Sequence, residues 1–273
     1  MTEFIVGVRF QKVGKVYHFS ANRQRDLQVG DHVIVDTSRG RQLGEIAQLV
    51  EDARKPKNGS WKPVLRKATP RDLVARQVWE KKEAEALVNC RAKTSHLNLR
   101  GVKIVSAEFT LDGSRLTFLY SYEEDEKLEL TALRKEMEKL YEAKISMRKI
   151  GPRDAAKIIG GMGACGLETR CCSMYLDEFR PISIKMAKAQ NVSLAPSEIT
   201  GMCGRLRCCL QYEYDTYVEL RKTLPRVKKI VITPMGEGRV LKVNPLKETV
   251  LVNLGEQGAK EFSSDEISYP DRS

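Results

Sequence analysis

Two copies of one cysteine motif constrain the second half of this chain more than any other feature. The stretches GMGACGLETRCC (161–172) and GMCGRLRCC (201–209) each contain a cysteine followed by glycine and then, after four or three residues, two adjacent cysteines. Glycine allows the backbone to adopt positive φ, which helps to aim thiols at a fixed point. Six of the seven cysteines belong to these motifs: Cys165, Cys171, Cys172, Cys203, Cys208 and Cys209. The repeat therefore predicts a segment devoted to thiol chemistry.

The cellular compartment decides what clustered thiols mean. The chain has no run of about 18 uncharged apolar residues, and its N-terminus has no basic region followed by an apolar stretch. We therefore expect a cytoplasmic protein without membrane insertion. In the reducing cytosol, clustered cysteines bind metals or take part in catalysis more often than they form disulfides.

Several kinds of thiol chemistry fit the motifs. A disulfide within either adjacent pair is disfavoured, because neighbouring Cα atoms lie about 3.8 Å apart and disulfides require about 4.4 to 6.8 Å. Zinc would need an all-thiolate site, since the three histidines lie far upstream. Six thiols fit one [4Fe–4S] cluster with two to spare, or two three-thiolate half-sites that borrow a fourth ligand from another chain. Metal or cluster binding is favoured, with redox thiols and buried structural cysteines as alternatives.

Arginines accompany the motif cysteines. Arg170, Arg205 and Arg207 lie beside them, and positive charge is expected to lower thiol pKa values and favour the ligating thiolate. Cys90, the seventh cysteine, lies within a predicted helix and is expected to be a small residue of the core.

The positive charge of the chain gives a weaker indication. There are 47 Lys plus Arg against 36 Asp plus Glu, a net charge of +11. Such an excess is typical of nucleic-acid contact, but also of a surface that is only kept soluble. Two basic clusters bracket the cysteine motifs, each interpreted first as a solvated face. They comprise Arg148, Lys149, Arg153 and Lys157 upstream and Arg221, Lys222, Arg226, Lys228 and Lys229 downstream.

The hydrophobic pattern predicts an α+β protein of four modules. Residues 1–60 read as short strands of an SH3-like β-barrel, and residues 225–273 as a second small β module. Residues 61–150 show the order β-α-β-β-α-β, which predicts a ferredoxin-like domain. Residues 151–224 form the cysteine-rich segment, in which only SIKMAKAQN and LQYEYDTYVELRK look helical.

Local signals support the central domain. The stretch WKPVLRK predicts its first strand, and Thr69 with Pro70 opens its first helix. Asp112-Gly113 joins two alternating strands as a hairpin. Phe118, Tyr120 and Tyr122 alternate along the second of these strands, where they are interpreted as core residues in preference to stacking platforms for RNA.

An enzyme is not indicated. No G-x-x-x-x-G-K-[ST] loop is present, and no Ser-His-Asp constellation can be placed on motif grounds. We expect no small-molecule substrate.

The cysteine segment also carries a resemblance to a known family. IGPRDAAKIIGGMGACG, TRCCS and FRPISIKMAKAQNVSLAPSEITGMCGRLRCCLQYEYDTY, together with the early VGVRF and GKVYHF, resemble the PSP1 C-terminal domain family and its bacterial RicT (YaaT)-like members. The resemblance covers roughly residues 3 to 245 and is densest between 148 and 217. It implies that residues 151–224 are the PSP1 core.

The resemblance implies a function. It points to a non-enzymatic cytoplasmic regulator that assembles with two small helical partners, RicA and RicF, carries [4Fe–4S] clusters and acts with ribonuclease Y in messenger RNA processing. The expected ligands are the six motif cysteines, with zinc as the alternative metal. The residues leave open whether the chain contacts RNA itself. The alternative function is that of a direct RNA-binding regulatory protein whose cysteines bind zinc or are structural.

Overall fold

The computed structural model describes residues 4–10, 16–37, 40–50, 59–122, 129–176 and 179–269. Its mixture of helices and sheets confirms the α+β class. The chain divides into two compact units, one of Met1–Asp177 with Met202–Arg205 and one of Glu178–Gly201 with Leu206–Ser273. Within the described ranges, no helix has both the length and the apolar character needed to cross a membrane.

The first unit begins with a curled five-stranded antiparallel sheet in the order β2-β1-β4-β3-β5. Its strands are β1 (Ile5–Arg9), β2 (Tyr17–Ser20), β3 (His32–Thr37), β4 (Gly40–Val50) and β5 (Val64–Lys67). The two edges approach each other, because the Ser20 N–H donates to the Lys62 carbonyl at 2.9 Å and a bridge joins Ser20 to Pro63. Valine, isoleucine and phenylalanine side chains fill the concave side. The predicted barrel is thus present as a half-barrel.

A second core of the same unit forms between two helices and a three-stranded sheet. Its elements are α1 (Pro70–His96), β6 (Lys103–Phe109), β7 (Arg115–Ser121), α2 (Thr131–Leu140) and β8 (Lys144–Lys149). Helix α1 begins where the sequence predicts, since Thr69 and Asp72 form a capping box. The hairpin at Asp112-Gly113 is also confirmed: β6 and β7 pair antiparallel, and Gly113 has a φ of 69°.

The prediction of a ferredoxin-like centre needs correction, because the central sheet has the strand order β6-β7-β8. A split βαβ unit would insert its first strand between the third and fourth, but here β8 lies directly beside β7 in parallel. The strand predicted to come first, β5, pairs with β3 instead. Of its side chains only Val64 is buried, and this residue belongs to the half-barrel core. The side chain of β5 that is buried therefore serves the half-barrel, and its next residue, Leu65, is left exposed.

The central core explains the seventh cysteine and the alternating aromatics. Cys90 is fully buried against the central sheet, and burial raises the pKa of its thiol to about 11. Phe118 and Tyr122 are buried and Tyr120 packs at the margin of the core. The core interpretation of these residues is confirmed.

The second unit ends in a four-stranded antiparallel sheet of order β12-β11-β10-β9. Its strands are β9 (Ile230–Thr233), β10 (Gly236–Asn244), β11 (Thr249–Asn253) and β12 (Ala259–Ser263). The predicted C-terminal β module is present. One of its turns has the same side-chain hydrogen bond as a turn of the half-barrel. Thr233 Oγ1 donates to the Gly236 carbonyl at 2.8 Å, as Thr37 Oγ1 donates to the Gly40 carbonyl at 2.9 Å.

One buried carboxylate attaches α1 to the central sheet. Glu83 is 9 % exposed, and its two oxygens accept hydrogen bonds from the Arg76 guanidinium at 2.7 and 3.0 Å. Glu83 Oε1 also accepts the Phe109 N–H at 2.7 Å. A single side chain thus joins the helix to strand β6.

Replacing Glu83 by alanine is expected to destabilise the central core by about 2 to 3 kcal/mol, because a buried N–H and a partly buried guanidinium lose their acceptor. Urea unfolding followed by Trp79 fluorescence in a Trp61→Phe background measures the loss. The matched control is Glu80→Ala, since Glu80 is 58 % exposed and its contact with Arg76 is 3.4 Å long. A change of less than about 0.5 kcal/mol is expected there. Equal effects of the two variants would contradict the assignment.

Candidate functional site

The first cysteine motif follows a helix that sequence reasoning missed. Helix α3 (Pro152–Ile159) precedes the motif loop, and a short helix α4 (Cys171–Met174) starts at the adjacent cysteines. Pro152 at the first helical position and Asp154 in the first turn were available as signals. Eight residues are too few for periodicity to be evident.

Arg170 attaches the motif loop to α3. Its Nη1 donates to the Ala156 carbonyl at 2.6 Å, and its Nε donates to the Met162 carbonyl at 3.2 Å. Ser173 Oγ donates to the Lys157 carbonyl at 3.0 Å. The last four carbonyls of a helix have no partner inside it. These donors bind two of them, and the Ala156 carbonyl also accepts the Gly160 N–H at 3.1 Å. The same contacts hold Cys171 and Cys172 beside the end of α3.

The second motif repeats this arrangement, although it is divided between the units, since Met202–Arg205 belongs to the first and the residues that follow belong to the second. Helix α6 (Pro196–Ile199) precedes it, and helix α7 (Cys209–Tyr212) starts at the second of its adjacent cysteines. Arg207 Nη2 donates to the Ser197 carbonyl at 2.8 Å, and its Nε donates to the Thr200 carbonyl at 3.3 Å. In both motifs the arginine directly before the paired cysteines therefore binds one carbonyl of the preceding helix and one carbonyl beyond its end.

The glycines after the leading cysteines also correspond. Gly166 has a φ of 88° and Gly204 has a φ of 75°, and residues that carry a Cβ rarely adopt such values. The predicted left-handed glycines are therefore confirmed at equivalent positions of the two motifs. The two motifs therefore share a backbone conformation at this glycine as well as a sequence pattern.

Helices α5 (Ile184–Ala189) and α8 (Tyr214–Leu220) complete the second unit, as the two predicted helical stretches indicated. Ala187, Ile199 and Leu210 form a small core between its short helices. Gln190 Nε2 donates to the Leu210 carbonyl, which attaches α5 to α7. The second motif is thus supported by packing as well as by its arginine.

The six motif cysteines differ in exposure. Cys165 is exposed, Cys172 is buried, and the other four are partly buried. Burial raises the pKa of the Cys172 thiol, and its neighbour Cys203 raises it further, while the charge of Arg170 acts in the opposite direction. For Cys172 the expected lowering of the pKa by arginine is therefore wrong in its net effect, because desolvation outweighs the cation.

Thiolates are ligands of iron–sulfur clusters and of zinc, but the described cysteines are not placed as a complete set of ligands. Across the described ranges, no three Cys, His, Asp or Glu side chains are placed to hold one metal ion. The first unit contains Cys165, Cys171, Cys172 and Cys203, and the second contains Cys208 and Cys209. The donor chemistry therefore fits the expected group, whereas a complete four-ligand site is not formed by the described part of this single chain.

Substituting lysine for Arg170 separates its charge from its geometry. A lysine keeps the positive charge, but it lacks the planar fork that reaches two carbonyls. We expect maleimide labelling of Cys172 in the metal-free chain to accelerate about tenfold, because losing the contact favours local opening. Mass spectrometry after timed labelling measures the rate.

Two controls accompany this labelling experiment. The exposed Cys165 is an internal reference whose rate should not change, and Arg205→Lys changes an exposed arginine of the second motif. An unchanged Cys172 rate in the Arg170→Lys protein would show that the arginine acts through charge alone.

Comparison with known proteins gives matches of several kinds. Residues 62–150 match the family model described as the PSP1 C-terminal conserved region, and residues 181–224 match the one described as the third domain of PSP1-like proteins. The conserved-region match thus covers the central core, and the third-domain match includes the second cysteine motif.

Curated proteins give two relatives. The chain is 36 % identical over 253 residues to the stage 0 sporulation protein YaaT of Bacillus subtilis, covering 92 % of this chain and 90 % of the relative. It is 26 % identical over 160 residues to an uncharacterised protein of Schizosaccharomyces pombe, covering 48 % of this chain and 21 % of that protein. No solved structure matches.

Proposed function

The chain belongs to the family of PSP1-like proteins that includes the sporulation protein YaaT, and on this basis we propose that it is a non-catalytic regulatory adaptor. The adaptor acts in the cytoplasm and contributes cysteines to iron–sulfur clusters. Its partners are RicA-like and RicF-like proteins, and the assembly controls messenger RNA processing by ribonuclease Y. A regulatory role is the part of this proposal that the family relationship supports directly.

The observation that carries the cluster proposal is the repeated geometry of the two motifs. Each motif has a leading cysteine before a left-handed glycine, and an arginine that binds helix-end carbonyls before two adjacent cysteines. Such pre-positioning of thiols is expected of ligands, because a metal site needs donors held within narrow geometric limits. Cysteines that served only as core residues, like Cys90, would need no such arrangement.

The incomplete donor set supports sharing of ligands between chains. Each motif supplies three thiols, one fewer than a [4Fe–4S] cluster takes. With no three donors placed for one metal ion in the described ranges, completion by partner chains accounts for the placement of the thiols. When bound, the cluster supplies an iron-dependent crosslink that is lost on oxidation or iron depletion.

The chain's own residues have separate roles in this adaptor. Arg170 and Arg207 position the paired cysteines, and the small core around Ala187 keeps the helices of the second motif together. The half-barrel and the C-terminal sheet carry none of the seven cysteines. They are therefore available for contacts with other proteins.

Serine substitutions at the motif cysteines test the ligand assignment. The chain is co-expressed anaerobically with its RicA-like and RicF-like partners, and iron and acid-labile sulfide are measured in the purified complex. We expect the wild-type complex to contain both elements and at least three of the six single Cys→Ser variants to lose half or more of the iron. Cys90→Ala is the matched control and should retain it, because Cys90 lies in the central core.

Three outcomes would contradict the assignment. An intact wild-type complex without iron and sulfide would exclude the cluster, and zinc in its place would favour the alternative metal. Full iron content in all six serine variants would show that the ligands lie elsewhere.

A further inference from the structure

A cavity of about 470 Å³ lies at the open edge of the central sheet, away from the cysteine motifs. Among the residues that the structure describes, strand β8 is the last strand of that sheet and pairs on one side only, with β7. The cavity is lined by β8 and β7 and by the start of α2, including Leu130 and Thr131. Its volume lies within the range of ligand sites, about 300 to 1,000 Å³.

The charged groups lining this cavity are all basic. Arg115, Arg134 and Lys144 line it, and none of its described lining residues is acidic. Within the described ranges, Arg115 and Lys144 have no carboxylate partner, while Arg134 has a solvent-exposed contact of 3.4 Å with Glu138. Exposed pairs of this kind contribute little energy. The cavity therefore presents three cations to an incoming anion at low cost.

The remaining lining groups are those expected around a nucleotide. Thr131 and Ser146 provide hydroxyl groups that can donate to phosphate or ribose oxygens. Tyr120 also lines the cavity, but its ring packs against the central core and is not counted among the groups that would bind the ligand.

The basic surface continues beyond the cavity along β8. Lys144 and Arg148 are both exposed and lie four residues apart on one strand, a separation of about 13 Å. That distance exceeds what one phosphate group can bridge. A chain of phosphates therefore fits this surface better than a free nucleotide or inorganic phosphate does.

A second cavity in the same unit is also lined by basic side chains, but its arginines already bind backbone carbonyls. Arg91, Lys103 and Arg170 line it, but the Arg91 Nε already donates to the Ile104 carbonyl at 3.0 Å. Arg170 already donates to two carbonyls of the motif region. Its arginines thus have structural partners, which leaves the β8 cavity as the stronger anion site.

We propose that the cavity at the edge of β8 binds the phosphate backbone of single-stranded RNA, with Arg115 and Lys144 as its principal contacts. This site is independent of the cysteine motifs and of any metal. It extends the regulatory role, because the adaptor itself then contacts the RNA.

The test measures binding of a fluorescein-labelled 12-nucleotide oligouridine to the full chain by fluorescence anisotropy over a series of salt concentrations. The variant Arg115→Gln/Lys144→Gln should raise the Kd at least tenfold. Its slope of log affinity against log salt should be smaller in magnitude by about 1.4, since each lost phosphate contact contributes about 0.7 for single strands. Arg71→Gln/Lys81→Gln removes the same charges from the exposed surface of α1 and should change the Kd less than twofold.

Competition by ATP and by a polyglutamate peptide distinguishes RNA from other anions. Weak competition by both at equal phosphate or carboxylate concentration is expected. Failure of the wild-type chain to bind the oligouridine, equal affinities of the two double variants, or stronger binding of ATP or polyglutamate would each overturn the proposal. Thermal unfolding of both variants shows that any loss of binding is not a loss of folding. Because iron does not enter this experiment, its failure leaves the cluster proposal standing.

Discussion

The cysteine segment depends on one kind of contact, an arginine guanidinium that binds a backbone carbonyl of the preceding helix and a second carbonyl beyond its end. The helices around the motifs have between four and eight residues, and helices of that length are not stable alone in water. Their terminal carbonyls need donors, and a charged guanidinium forms stronger hydrogen bonds than a neutral donor. Arg170 and Arg207 therefore turn two weakly structured stretches into supports for paired cysteines.

This construction has a functional consequence. The arginines are occupied with backbone carbonyls, so they position the thiols more than they activate them, as the raised pKa of Cys172 also indicates. Thiols that are positioned but not gathered into a complete site suit a protein that presents part of a ligand set to partners. Assembly of the regulator and binding of its cluster would then be one coupled event.

Much of the fold was predictable because local signals and tertiary packing agree. Thr69 and Pro70 are local helix-start signals, and Asp112-Gly113 is a local hairpin signal between alternating strands; here the packing of the central core agrees with both. Strand β5 was assigned to the wrong sheet, because its partner is set by where the single buried residue Val64 can pack. The sequence alone does not contain that information.

The candidate site also has features that the sequence predicts and features that it does not. The repeat, its glycines and the separate nature of Cys90 were readable from residue types and spacing. The role of the arginines was not, because a guanidinium beside a cysteine can act on the thiol or on the backbone, and only the geometry decides. The basic cavity beside β8 was hidden for a related reason: Arg115, Arg134 and Lys144 are scattered in sequence and meet only through the β7-α2-β8 crossover.

Mössbauer spectroscopy of ⁵⁷Fe-reconstituted protein, prepared anaerobically with and without the RicA-like and RicF-like partners, shows whether the proposed cluster is shared between chains. Sharing predicts the spectrum of a [4Fe–4S] cluster for the assembled complex and none for the isolated chain. A complete cluster in the isolated chain, or none in the complex, would contradict sharing.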